Sequence, residues 1–391
     1  MLAHGMGRSY GDVCINSGGE LMLTQGLDRF IDFDATTGVL RAEAGVTFDE
    51  IIKLLLPRGW FLPVTPGTRF VTLGGALAND VHGKNHHVAG TFGRHVRGFE
   101  LLCSDGTRLQ CSPTENAEWF SATIGGLGLT GLVTWIELQL RRVPGQAIAV
   151  DNWRFHGLDE FFALNAEAEA HHEHVVAWID CLAAVPRGIV MAGDHVEGDV
   201  TAPATARAVP FTPPVSVINR ASLAAFNAAY FHRPLAARQT VHCLPYFYPL
   251  DGLLHWNRLY GKRGFYQYQC VVPKSGEREA TAALLAAIRQ SGQGSFLAVL
   301  KTFGDQPSPG LLSFPMAGTN LALDFPNGGA ATLALFDKLD VIVNDAGGRL
   351  YPAKDARMPG RLFRQGYPRL QEFTPYVDPK FSSNFWRRVM E

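Results

Sequence analysis

Apolar positions recur along the chain with two periods. From Leu132 to Leu140 one face reads Leu132, Thr134, Ile136, Leu138, Leu140, a period of two that predicts a half-buried strand. Gly98 to Ser112 reads as two strands around the turn Ser104-Asp105-Gly106, a hairpin signal. Thr47-Phe48-Asp49-Glu50 has the form of a capping box, with Thr47 as N-cap and Glu50 three residues on. Ile51 to Leu56 continues that helix, and Pro57 and Gly59 end it. Further strands are expected at Val175–Leu182, Tyr266–Val272 and Leu321–Phe325. Ala-rich helices are expected at Ala221–Ala229, Arg278–Gln290 and Ala331–Asp345, and a Pro- and Ala-rich loop at Thr201–Pro214. Strands and helices mix without a steady βαβ rhythm, which predicts an α+β fold. The texture changes near 146 and again near 348, so three segments are expected: 1–146, 147–347, and a returning tail 348–391.

Composition narrows the class. The 391 residues suit about two domains. With 47% apolar and 18% charged residues, global disorder is excluded. A formal net charge of −1 gives no overall footprint for nucleic acid. The 41 glycines and 23 prolines favour a loop-rich fold over a helical bundle. No uncharged apolar run reaches the roughly 18 residues of a membrane span, and Met1 to Arg8 lacks an apolar signal core. Six cysteines form no CxxC pair and no disulfide or zinc framework.

Three glycine-rich segments carry the first chemical signal. They are Gly5-Met6-Gly7-Arg8-Ser9-Tyr10-Gly11-Asp12, Pro66 to Ala76 running on to His87, and Gly125 to Gly131. Glycine lets consecutive backbone N–H groups converge on one ligand, and such nests bind phosphate oxygens without lysines. Two nests on separate loops can hold a pyrophosphate from both sides. GxxxxGK[ST] is absent, and Gly5-x-Gly7 lacks the third glycine of a dinucleotide fingerprint.

The segments GMGRSYGD, PGTRFVTLGGALANDVHGKNHH, GLGLTGLVT, PLDGLLHWNRLYGKRGFYQYQ, LSFPMAGTNLALDFP and GGRLYPAKDAR together resemble the FAD-linked oxidases of the vanillyl-alcohol-oxidase type. HGKNHH and HWNRLYGKRG resemble the branch of that family that acts on polyprenyl-phosphate-linked pentoses. The resemblance implies a bilobed fold: an FAD-binding lobe from the N-terminal segment and the tail, with an inserted substrate domain built on an antiparallel sheet. It also implies that a strand–helix–strand unit which the family carries before the first glycine loop is missing from this sequence. By position, Gly5, Gly7, Arg8, Ser9, Tyr10, Gly11 and Asp12 fall on the family's first pyrophosphate loop. Gly67, Thr72, Gly74, Gly75, Asn79 and His82 fall on its second FAD region, and Val133 and Tyr351 on further FAD contacts. Relatives that bind FAD covalently often carry a His where Arg8 stands, so non-covalent FAD is expected.

The implied reaction is hydride transfer from a carbinol C–H to flavin N5. Lys354, in Tyr-x-x-Lys, falls on the family's active-site lysine, which desolvation would tune toward a base. Lys301 interrupts an apolar stretch, where a lysine needs a reason. Gln267 and Gln269 alternate on one strand face, so both can point into one pocket. With Asn320 they match family pocket positions and supply groups for sugar hydroxyls and phosphate. His82 and Lys84 flank Gly83 near the expected flavin face, and Tyr10 lines the same pocket. Catalytic roles are therefore expected of Lys354, His82 and Lys301, and substrate contacts of Lys84, Gln267, Gln269, Asn320 and Tyr10. Ala322 stands where mycobacterial-type relatives carry a cysteine that walls the pocket, so thiol-directed inhibitors should lose their anchor here. His171-His172-Glu173-His174 and His86-His87 contain no H-E-x-x-H, and no metal is expected; the first cluster is read as a solvated turn, the second as framing the flavin loop.

The resemblance implies oxidation of the 2′-hydroxyl of decaprenylphosphoryl-β-D-ribose to the keto sugar, the first half of an epimerisation. A nicotinamide-dependent keto-reductase would be the partner and a quinone the electron acceptor. Location would be cytoplasmic or peripheral at the inner membrane, with the periplasmic face left open and Phe211 to Val215 as apolar docking points. Two alternatives stand beside it: an FAD-dependent oxidase of a soluble sugar, alditol or sugar lactone, and a flavin-free non-catalytic paralogue.

Overall fold

Two antiparallel sheets organise the chain in the computed structural model, which describes residues 1–198, 200–202 and 206–391. The first has five strands in the order Phe30–Asp34, Val39–Glu43, Leu132–Gln139, Val96–Leu102, Arg108–Cys111. The strand and hairpin legible in the sequence sit at its centre and edge. Its inward residues Leu40, Phe99, Leu101, Ile136 and Leu138 pack on the helix Phe48–Leu55 through Phe48, Ile51, Ile52 and Leu55. That helix begins where the capping box predicts: the Thr47 hydroxyl accepts from the Glu50 N–H and the Glu50 carboxylate accepts from the Thr47 N–H. Such a cap stabilises a helix by about 1 kcal/mol.

The second sheet has eight strands, in the order Arg238–His242, Ala147–His156, Arg187–Val196, His174–Asp180, Val299–Phe303, Gly318–Pro326, Phe265–Pro273, Arg349–Leu350. Its two faces have different fates because successive side chains point to opposite sides. Val175, Ala177, Val190, Tyr268, Cys270, Leu300, Leu321 and Leu323 point one way, into a core closed by the helices Leu158–His171, Glu277–Ser291 and Ala330–Asp345. The residues between them point the other way, toward the first sheet, and floor a cavity. Mixed helices with antiparallel sheets make the fold α+β.

The tail does two things. Arg349–Leu350 adds an edge strand to the eight-stranded sheet, so the segment after 348 starts as part of that sheet. Phe363, Tyr367, Phe373, Phe385 and Val389 then join the core that also contains Val13, Leu127 and Leu129. The Thr201–Pro214 stretch differs from the loop reading. Arg207–Ala208 pairs in parallel with Leu253–Leu254, a two-residue ladder too short to leave a period in the sequence; residues 203–205 of that stretch lie outside the described residues. The 171–174 cluster is not a solvated turn either. His174 opens a strand and is buried against Phe247, with ring centroids 4.8 Å apart, while His172 Nδ1 lies 2.7 Å from Asp194 Oδ2.

Candidate active site

A cavity of about 940 Å³ lies between the glycine loops and the free face of the eight-stranded sheet. Gly5, Gly7, Arg8, Ser9 and Tyr10 form part of its wall, with Gly67, Thr72, Gly74, Gly75 and Asn79 from the second loop. The amides of Met6, Gly7, Arg8 and Ser9 have no acceptor among the described residues, although Met6 to Ser9 line the cavity. The two loops touch: a Cβ on Gly5 would come within 2.5 Å of Thr72 Oγ1. Only glycine permits that approach. Thr72 caps the short helix Leu73–Ala78, its hydroxyl accepting from the Gly75 N–H at 3.1 Å.

Gly11 and Asp12 do not line the cavity. A Cβ on Gly11 would overlap the Asp355 carbonyl, and the Asp12 carboxylate accepts from Arg388 at 2.7 and 3.0 Å. Arg388 also reaches Asp355 at 3.0 Å, and the Tyr10 N–H donates to the Ala353 carbonyl at 3.0 Å. The end of the first loop is therefore an anchor that fastens the turn to the returning tail.

The floor carries the chemistry. Gln267, Gln269, Asn320 and Lys301 sit on three adjacent strands, with Gln269 opposite Ala322 and Lys301 opposite Asn320. The Gln269 amide donates to Asn320 Oδ1 at 2.9 Å and to His82 Nε2 at 3.2 Å. His82 must accept there, which puts its own proton on Nδ1. The ring is boxed by Phe303, Phe314 and Tyr351, with centroids 4.9, 5.6 and 5.3 Å away. Desolvation, aided by Lys301, holds His82 neutral, well below the usual imidazole range. Tyr351 stacks on Phe314 at 4.5 Å and donates to the Asn79 carbonyl at 3.2 Å. Val133 also reaches the wall. His86 is buried on Phe303, and neither it nor His87 is part of the wall.

Three lysines enter the same cavity. Lys354 Nζ lies 3.9 Å from the Tyr10 ring centroid. Lys301 Nζ donates to the Gly83 carbonyl at 3.2 Å, and Lys84 Nζ to the Phe247 carbonyl at 3.0 Å. Burial pushes Lys354 and Lys84 down to about 8, and burial with the nearby Lys84 charge pushes Lys301 down to about 7. Near neutral pH such amines sit at the boundary between ammonium and free base. Each can hold an anion or take a proton.

One participant escapes the sequence reading. Asp324 is buried on the same strand as Asn320, and Gln267 Nε2 donates to its Oδ1 at 2.7 Å. Burial raises its carboxyl to about 7, and the Lys354 charge works against that rise. The signal was present: a carboxylate inside the apolar run Leu321–Phe325 is as anomalous as Lys301.

These residues fit FAD. The residues of the cavity wall from Met6 to Ser9 carry unpaired amides, and the close approach of Gly5 to Thr72 brings the two glycine loops together. Asn79 Oδ1, His82 Nδ1 and Asn320 Nδ2 are buried polar atoms without a partner among the described residues, and all three residues line the cavity. Bound there, FAD supplies the hydride acceptor. Lys354, Lys301, Lys84, His82, Gln269 and Asn320 line the same cavity and place amines, an imidazole and amides where a bound alcohol could meet them.

Comparison with known proteins agrees. Residues 1–112 match the family described as FAD binding domain. The chain is 36% identical to decaprenylphosphoryl-beta-D-ribose oxidase of Mycolicibacterium smegmatis, across 100% of this chain and 89% of that protein. It is 35% identical to an uncharacterized protein of Streptomyces coelicolor, across 88% of this chain and 100% of that one. Alditol oxidase of a Streptomyces species is 28% identical over 31% of this chain and 29% of its own length. The flavin-free alternative is thereby set aside, and the chain belongs to the FAD-linked oxidase family that includes decaprenylphosphoryl-beta-D-ribose oxidase, as an FAD-dependent oxidoreductase acting on CH–OH donors.

Proposed function

We propose that the protein oxidises a secondary alcohol of a polyprenyl-phosphate-linked pentose, with the 2′-hydroxyl of decaprenylphosphoryl-β-D-ribose as substrate and the 2′-keto sugar as product. The carrying observation is the gradient along the cavity floor. At one end stand Gln267, Gln269, Asn320 and Lys301, suited to sugar hydroxyls and a phosphate. At the other stand Val150, Val176, Trp178, Met191, Val241 and Val299, a mainly hydrocarbon surface interrupted by Asn152 and Gln239. An amphiphile with a sugar-phosphate head and an isoprenoid tail matches both ends, while a free alditol leaves the apolar end without a partner.

In this reading Lys354 is the base, His82 and Gln269 orient the reacting hydroxyl, and Lys84 with Lys301 holds the phosphate. The glycine loops with the tail make the FAD lobe, and the eight-stranded sheet makes the substrate lobe. A quinone takes the electrons and a nicotinamide-dependent reductase consumes the keto sugar. The test is anaerobic mixing of the yellow holoenzyme with a polyprenylphosphoryl pentose and, separately, with free pentitols. Bleaching of the flavin band by the lipid-linked sugar alone is expected. Bleaching by a pentitol alone would overturn the assignment in favour of a soluble-alditol oxidase.

A further inference from the structure

Charge is spread unevenly along this near-neutral chain. Residues 206–264 hold seven Lys or Arg and one acidic residue, Asp251, whereas the other 332 residues hold 28 basic and 35 acidic ones. The same segment carries exposed apolar tips: Phe211 is 68% exposed and Val215 72%, and Val217 and Leu254 are exposed beside them. We propose that this basic, apolar-tipped segment docks the protein on an anionic lipid surface, with the cavity mouth facing the membrane. The purpose of such docking rests on the polyprenyl reading above; the observations that carry it are separate.

The backbone gathers these residues in one place. Arg207–Ala208 pairs with Leu253–Leu254, the Val209 N–H donates to the Leu254 carbonyl at 3.0 Å, and the Val217 N–H to the Leu259 carbonyl at 3.0 Å. Arg258 ties the segment down by donating to the carbonyls of Val209 and Pro210 at 2.8 and 3.0 Å. Gly261 packs directly on the Val215 backbone. The strap beneath leads to the cavity, because Leu250, Trp256 and Asn257 line its wall. The surface is thus continuous with part of the cavity wall.

The charges are available. Arg207, Arg220, Lys262 and Arg263 are exposed, and no carboxylate lies within 4 Å of any of them among the described residues. Isolated apolar tips in a field of one sign fit a headgroup layer, where tips enter the acyl boundary and cations meet phosphate. Each basic side chain near an anionic bilayer raises partition about fivefold. No helix among the described residues is long and apolar enough to cross a membrane, so attachment through this segment would be peripheral.

The experiment is flotation of the FAD-loaded protein with vesicles of phosphatidylcholine alone or mixed with phosphatidylglycerol. The expected result is binding to the mixed vesicles that weakens with added salt, and little binding to phosphatidylcholine. Lys262→Glu with Arg263→Glu should weaken binding by at least about tenfold. Phe211→Ser with Val215→Ser should also weaken it, leaving the salt dependence in place. The flavin spectrum and melting temperature serve as folding controls, since all four side chains are exposed. Salt dependence of the unaltered protein tests the charge argument even if a variant fails to fold. Absence of binding to the mixed vesicles, or binding that neither salt nor the substitutions change, overturns the proposal and leaves the segment to a protein partner. Turnover of the lipid-linked sugar in detergent micelles reports on the substrate reading alone, so the two failures are distinguishable.

Discussion

Lys354 Nζ lies over the ring of Tyr10, 3.9 Å from its centroid, and this contact joins the returning tail to the first glycine loop inside the cavity. The ring quadrupole holds the ammonium form in place, and that hold relaxes when the amine gives up its proton. Lys354→Met keeps the length of the side chain and removes the base. The expected outcome is full FAD content with flavin reduction slowed by roughly 10²–10⁴-fold, the usual range for a positioned general base. Stopped-flow absorbance checks it; reduction near the wild-type rate would remove Lys354 from the proton-transfer role.

The pH profile should carry two opposing limbs. Lys354 is pushed down to about 8 by burial, so the fraction in the free-base form grows as pH rises through 8, and flavin reduction should rise with it. Lys301 at about 7 and Lys84 at about 8 lose charge over the same interval, so KM for an anionic substrate should climb above pH 8. A neutral substrate should show the first limb without the second.

Asp324 should shift the first limb. Its ionised carboxylate favours the Lys354 ammonium and so opposes the downward push of burial. Asp324→Asn removes that charge while keeping a partner for Gln267. The Lys354 limb should then move to lower pH, a displacement that loss of packing alone would not produce. The pH–rate profile of the variant, compared at saturating substrate, decides it.

FAD should be held without a covalent bond. Arg8, whose Nε donates to the Phe70 carbonyl at 3.3 Å, offers no nucleophilic ring nitrogen. Acid precipitation of the holoenzyme should leave a yellow supernatant and a colourless pellet.

Gly11→Ala should destabilise the anchor of the first loop. The added methyl would overlap the Asp355 carbonyl, which Arg388 and the Tyr10–Ala353 hydrogen bond hold close. Overpacking of this kind costs about 1–3 kcal/mol. A lower melting temperature together with faster FAD loss is expected, because the strained turn also presents the amides of Met6 to Ser9.

Local signals made much of this molecule legible in its residues. The capping box at Thr47 and the alternation at 132–140 depend on neighbours in sequence, and both elements form where the pattern puts them. Gln267 and Gln269 share a face for the same reason. What escaped reading depends on distant partners. Gly11 and Asp12 look like any other part of a glycine loop until the tail arrives with Asp355 and Arg388. His174 sits in a polar string, and its burial is decided by Phe247 and His195, far along the chain. Asp324 was visible as a misplaced charge, but its pairing with Gln267, 57 residues away, requires the register of two strands.

The alternation of the eight-stranded sheet has an evolutionary consequence. Several residues that line the cavity are flanked by residues of the buried core: Trp178 by Ala177 and Ile179, Ala322 by Leu321 and Leu323, Gln269 by Tyr268 and Cys270. Selection or a protein engineer can therefore rewrite what this surface accepts one side chain at a time, with the opposite face left to keep the scaffold intact.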